Sequence, residues 1–210
     1  VNSLSFSPDG TQLLSVGMDD SNSHSLWADM GGGWSRSELA CSLKGDKSPA
    51  LFSQWVNVEN PQVKENVYHF MSGGAKGVNF WKIEGSTMKK MAGRFNKKYK
   101  QCPMLCAANI HTKDGWRVVM GTSTGDLYVY EEREVTNAVE KAHAGPVICL
   151  AEGGKECLFL VSGGRDKQIQ VWNQALQPMS SFDMKNHLPL YCDPTVASLD
   201  VKPFVATNNG

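Results

Sequence analysis

An excess of charge of either sign is missing from this sequence. Lys plus Arg number 21 and Asp plus Glu number 21, so the formal net charge is zero. No global field draws the chain to nucleic acid or to an anionic membrane. No apolar run approaches the roughly 20 residues of a membrane span. Cysteine is sparse, and Cys41, Cys102, Cys106, Cys149, Cys157 and Cys192 follow no zinc-site spacing. A chain of 210 residues needs no disulfide framework to hold a core. Cys102, Met104, Cys106 and Ala108 alternate, which predicts one face of a strand and small core residues in a reducing compartment. His111 follows Cys106, but third and fourth ligands at usable spacing are lacking. No metal and no cofactor is expected.

The usual chemical signatures are missing too. The pairs Gly73-Gly74 and Gly163-Gly164 open no helix and precede no Gly-Lys-Ser/Thr, so they are not phosphate loops. They read as tight turns or close packing. No Gly-x-Ser-x-Gly elbow is present. Asp19, Asp20, Ser21 and Asn22 lack the glycine and the terminal glutamate of a calcium loop. Trp34, Trp55 and Trp116 lie at strand edges, as core or as rim.

What the sequence does contain is a repeat. "SVGMDDSNSHSLW", "SGGAKGVNFW", "GTSTGDLYVY" and "SGGRDKQIQVW" end at Trp27, Trp81, Tyr130 and Trp172, at intervals of 54, 49 and 42 residues. Each has a small residue and glycine, a polar turn, an alternating strand and an aromatic. The residue before the aromatic is Leu26, Phe80, Val129 or Val171. Two further back it is His24, Val78, Leu127 or Ile169. That period of two marks a strand with one buried face. Two more apolar segments precede each turn, with Pro8-Asp9-Gly10, Asp114-Gly115 or Gly153-Gly154 between them. A polar segment follows each aromatic: "WSRSELACSL", "TMKKMAG", "REVTNAVEK" and "QPMSSFDM".

Four strands per unit of about 40 to 50 residues is the signature of a propeller blade. The fold class expected is all-β: a β-propeller of WD-repeat type with about four complete blades and part of a fifth. The approximate blades are 1–45, 46–100, 101–141 and 142–188, with a fifth starting in 189–210. The first strand of that fifth unit is predicted at "TVASLDV". Asp166 lies six residues before Trp172, where the other units carry Ser21, Ala75 and Thr124. It reads as a turn aspartate bonding nearby amides, not as a catalytic acid.

The fourth unit, "AHAGPVICLAEGGKECLFLVSGGRDKQIQVWN", resembles a WD repeat. Ala142-His143 stands for its Gly-His pair and Trp172-Asn173 for Trp-Asp. That resemblance implies a structural hydrogen-bond relay of His143, Ser162, Asp166 and Trp172, tying the outer strand of one blade to an inner turn. "GMDDSNSHSLW", "GAKGVNFW", "GTSTGDLYVY" and "KAHAGPV" in succession resemble the first propeller of the echinoderm microtubule-associated protein-like family, over nearly the whole chain. The family implies a cytoplasmic, cytoskeletal protein that contacts tubulin or microtubules. Its N-terminal coiled coil, its hydrophobic linking motif and its second propeller have no counterpart here.

The clearest charge feature is "TMKKMAGRFNKKYKQ", with Lys89, Lys90, Arg94, Lys97, Lys98 and Lys100 and no acid. It is expected in the fourth strand and the loop to the next blade. Three readings fit: a solvated edge guarded against pairing, a contact for an acidic protein surface, and an RNA patch with Phe95 and Tyr99 interleaved. Net neutrality disfavours the third.

Function then divides three ways. The first reading is a non-catalytic interaction scaffold, associated with microtubules by resemblance. The second is an adaptor for a ubiquitin ligase or a signalling assembly. The third, a propeller hydrolase, needs titratable groups converging on a pocket, whereas the charged residues here scatter over turns and outer strands. No membrane partner is expected. The sequence opens inside what reads as a strand, Val1 to Ser5, and closes within a unit. It is therefore expected to be an internal piece, with Leu4, Phe6, Val196, Leu199 and Val201 partly uncovered and a tendency to associate when expressed alone.

Overall fold

Alternation and β-branched or aromatic content turn the quoted segments into strands. The computed structural model describes residues 1–56, 68–154, 157–193 and 204–207, and no helix occurs among them. The first sheet holds β1 (Ser3–Phe6), β2 (Gln12–Val16), β3 (His24–Asp29) and β4 (Ser37–Leu43). The second holds β5 (Ala50–Trp55), β6 (Phe70–Gly74), β7 (Gly77–Glu84) and β8 (Thr87–Ala92). The third holds β9 (Met104–Thr112), β10 (Gly115–Thr122), β11 (Leu127–Glu131) and β12 (Glu134–Val139). The fourth holds β13 (Val147–Gly153), β14 (Phe159–Gly164), β15 (Gln168–Asn173) and β16 (Pro178–Asp183). The strands β17 (Pro189–Asp193) and β18 (Phe204–Thr207) pair with each other. In each four-stranded sheet, sequence neighbours pair antiparallel in an up-and-down meander.

The chain forms two compact units, Val1–Gly93 and Arg94–Gly210. In the first, Leu14 and Leu26 from one sheet meet Trp55, Phe70 and Trp81 from the next. In the second, Ile110, Val119 and Leu127 meet Val147, Leu160 and Trp172. The opposite face of the fourth sheet buries Phe159, Val161, Ile169 and Val171. Each such leucine or valine removed from water contributes about 1.5–3 kcal/mol.

Two local expectations are corrected. Cys102 does not share the strand face of Met104, Cys106 and Ala108, because β9 begins only at Met104. Pro103 intervenes and has no amide to give to a ladder. The first strand of the fifth unit is "PLYCD" at Pro189–Asp193, ahead of the predicted segment. Residues 195–201, including Val196, Leu199 and Val201, lie outside the described residues.

Leu4 and Phe6 are 61% and 57% exposed, with Phe6 edge-on to the Trp34 ring at 5.2 Å. Trp55 is buried, whereas Trp34 and Trp116 are half-buried. Cys41, Cys106 and Cys149 are buried. Burial holds the Cys106 thiol well above its ordinary range. Burial first, and then the Glu152 charge, pushes Cys157 up to about 12. Cys106 and His111 do not converge: the thiol donates to the Val147 carbonyl, and the imidazole stacks on Trp116 at 4.8 Å. Among the described residues, no group of three or more His, Cys, Asp or Glu is placed to hold a metal ion.

Candidate functional site

In the fourth sheet, Ser162 on β14 and Trp172 on β15 are set side by side by the strand register, with Leu160 opposite Trp172. The indole Nε1–H donates to Ser162 Oγ at 2.8 Å. His143 comes from the segment leaving β12, and its Nε2 lies 2.7 Å from the same oxygen. Its Nδ1 faces the Asp166 carboxylate at 3.0 and 3.2 Å, so Nδ1–H donates there and Nε2 accepts the serine proton. Asp166 sits on the β14–β15 turn and also accepts from the Ala144 and Gln168 amides. Burial opposes its charge, but the bonds from Ala144, His143 and Gln168 outweigh burial and hold the carboxyl below the ordinary aspartate range. A Cβ at Gly164 would come within 2.2 Å of His143 Nδ1 and 2.4 Å of Asp166 Oδ1. The second glycine of the pair therefore leaves room for the contact between imidazole and carboxylate.

The four residues grouped by sequence are thus brought together. Their atoms have the order of a Ser-His-Asp triad, but the serine is 0% exposed and its oxygen is already engaged by two ring nitrogens. No substrate carbonyl can reach it. Replacing Asp166 with alanine should lower stability by about 1–3 kcal/mol, because it leaves His143 Nδ1 and two amides unpaired. A urea midpoint equal to that of the parent would remove this structural role.

Register exposes the same pair of residues elsewhere. Leu13 lies opposite Trp27, Phe70 opposite Trp81 and Val118 opposite Tyr130. Two residues past each of these stand Ser15, Ser72 and Met120, in the place of Ser162. Trp27 Nε1 donates to Ser15 Oγ at 2.9 Å, and Trp81 Nε1 to Ser72 Oγ at 2.9 Å. The third sheet, with Tyr130 and Met120, has no such pair.

A second relay, which the repeat pattern does not announce, is built around His24. His24 begins β3 in the first sheet, is fully buried, and places Nε2 2.9 Å from Ser72 Oγ on β6 of the second sheet. Its ring stacks on Trp81 at 4.4 Å, and its Nδ1–H donates to the Asn22 carbonyl at 3.0 Å. The position that His143 fills ahead of the fourth sheet is held by Asp46 ahead of the second. Asp46 accepts from Asn79 and pairs with Lys90 at 2.5 Å. Gly45-Asp46 in place of a Gly-His pair, followed by a Ser72 and Trp81 lacking a histidine, was the available signal.

The basic stretch divides in two. Lys89 and Lys90 project from β8, while Arg94, Lys97, Lys98 and Lys100 follow it. All six are exposed, but Tyr99 is buried and Phe95 half-buried, so the rings do not interleave outward. At Asp19, the carboxylate accepts from the Ser21 amide and the Ser23 hydroxyl, a self-contained turn.

The comparisons with known proteins fit this geometry. The WD domain, G-beta repeat, matches residues 1–22 and 135–173. Echinoderm microtubule-associated protein-like 2 of Homo sapiens is 30% identical over 187 residues, covering 86% of this chain and 26% of that protein. Echinoderm microtubule-associated protein-like 1 of Homo sapiens is 28% identical over 181 residues, covering 83% of this chain and 20% of that protein. The chain therefore spans 20–26% of the length of these curated relatives. Among solved structures, a chain of "Crystal Structure of Mitotic Checkpoint Complex" superposes with a TM-score of 0.64 at 17% identity, covering 92% of this chain and 54% of that one. That likeness is one of fold alone. The fold class is all-β, of the WD-repeat β-propeller type.

Proposed function

We propose that this chain, a WD-repeat protein resembling the echinoderm microtubule-associated protein-like family, is a non-catalytic interaction scaffold that associates with tubulin or microtubules in the cytoplasm. The observation that carries the scaffold part is the burial of Ser162 with both its hydrogen-bonding partners in place. The chain spends its most triad-like residues on holding strands together. Fold alone does not choose a partner. Support for tubulin comes from the resemblance and from the exposed cations at 89–100.

Co-sedimentation of the chain with tubulin polymer across a salt series tests the reading. We expect binding at low salt that weakens steeply as the Debye length falls below about 10 Å near 0.1 M. A chain left wholly in the supernatant at every salt concentration would sink the tubulin assignment and favour an adaptor for a different complex.

A further inference from the structure

The segment after β8 is not a loose loop. Arg94 pairs in parallel with Glu134 on β12: its amide donates to the Arg133 carbonyl at 2.6 Å, and its carbonyl accepts from Val135 at 3.2 Å. Asn96 Nδ2 donates to the Val135 carbonyl at 3.0 Å, and Asn96 Oδ1 accepts the Lys98 amide at 2.9 Å. The Tyr99 hydroxyl donates to Thr136, and the Lys100 carbonyl accepts from the Tyr128 hydroxyl at 3.2 Å. Phe95 packs edge-on to Tyr130 and Tyr128. Residues 94–100 form a strap fastened to the third sheet, by Arg94, Asn96 and Tyr99 along the start of β12 and by Phe95 and Lys100 to tyrosines of β11.

This fastening separates the roles of the cations. Lysines on an outer strand can be explained as guards against stray pairing, and Lys89 and Lys90 on β8 fit that account, with Lys90 committed to Asp46. The start of the β12 edge is taken by the Arg94 backbone and by the Asn96 and Tyr99 side chains, and Lys97, Lys98 and Lys100 lie outside any strand, so they guard no edge of their own. Among the described residues, none of them nor Arg94 is in an ion pair. Lys98 lies over the neighbouring Tyr99 ring at 4.9 Å. Four exposed cations within seven residues, on a backbone fixed beforehand, form a row that need not be ordered again on binding.

We infer that the 94–100 strap is a docking row for an extended, carboxylate-rich polypeptide segment of a partner protein. This rests on the scaffold reading and names the chemistry of the partner. Charge complementarity selects the occupant. Tyr99 is buried and the half-buried Phe95 is packed against Tyr128 and Tyr130, which disfavours nucleic acid, since that would need rings free to stack on bases.

The probe is a fluorescein-labelled poly-glutamate peptide, titrated by anisotropy against the intact chain at low salt. Lys97→Glu, Lys98→Glu and Lys100→Glu together should weaken binding at least roughly tenfold, whereas Lys89→Glu with Lys90→Glu should change it by less than about twofold. The milder Lys97→Gln, Lys98→Gln, Lys100→Gln variant should fall between parent and reversal, with an unchanged thermal midpoint. Equal losses in the strap and β8 variants, no loss in the strap variants, or tighter binding of poly-uridine RNA than of the peptide would each overturn the inference. Tubulin co-sedimentation separates the two readings. If the parent and the strap variant sediment equally, the strap inference fails and the scaffold reading stands. If the parent does not sediment but its peptide binding is lost on strap reversal, the tubulin reading fails and the strap stands.

Discussion

Replacing His24 with alanine should lower stability at neutral pH by about 3–5 kcal/mol. The change empties a buried site against Trp81 and takes a partner from the Ser72 hydroxyl and the Asn22 carbonyl. The loss should depend on pH. Burial pushes the His24 imidazole down to about 4, against the Asn22 carbonyl and Asp46, which favour its charged form. The unfolded imidazole takes up a proton below about 6.5. Between those values the unfolded chain binds more protons than the folded one, so stability falls as pH falls, by up to about 1.4 kcal/mol per pH unit for one group. His69, lowered by burial and by Lys82, adds to the slope, and Glu152, raised by burial, works against it. The difference between parent and His24→Ala isolates the one residue. It should shrink by about 2–3 kcal/mol from pH 7 to pH 4.5. Urea midpoints that keep the same separation at both pH values would remove His24 as a neutral buried link.

The second large effect is expected at Gly125. Its φ of +95° is one that side-chain-bearing residues rarely adopt. An added Cβ would sit 2.2 Å from the His143 carbonyl oxygen and 2.8 Å from that of Gly145, both backbone atoms. The Gly125 carbonyl also accepts the His143 amide at 2.9 Å. Gly125→Ala should therefore displace the segment that delivers His143 to Ser162 and lower stability by about 3 kcal/mol or more. Gly10 is the control, since it has positive φ but nothing within 4 Å of the added carbon. There alanine should cost only about 1 kcal/mol. Combined with Asp166→Ala, the Gly125 substitution should be far from additive, because both act on one imidazole. If Gly125→Ala and Gly10→Ala shift the urea midpoint equally, the close contact carries no energy.

What could be read from the sequence was what local alternation encodes. The strands ending in Trp27, Trp81, Tyr130 and Trp172 announce themselves because burial on one face repeats every second residue. The grouping of His143, Ser162, Asp166 and Trp172 was legible through the resemblance of the fourth unit to a WD repeat, within which all four lie. His24 was legible only as a buried strand residue. Its bond to Ser72 spans 48 positions and depends on how one sheet is placed on another. The fastening of Arg94 to β12 was hidden for a related reason, since it is made by backbone atoms that every residue type carries. The first strand of the fifth unit was hidden by Pro189, which reads as a breaker but is admissible as the first residue of a strand.

Repeat proteins are often treated as rows of units, each with its own stability and a fixed coupling to its neighbour. In the Val1–Gly93 unit that coupling contains a titratable member. The imidazole belongs to the first repeat, while the hydroxyl and indole it holds belong to the second. The nearest-neighbour energy is then a function of proton activity. Near neutrality the two repeats should open together as one cooperative block. In acid the same two repeats become more nearly independent, with no change in the stability assigned to either alone.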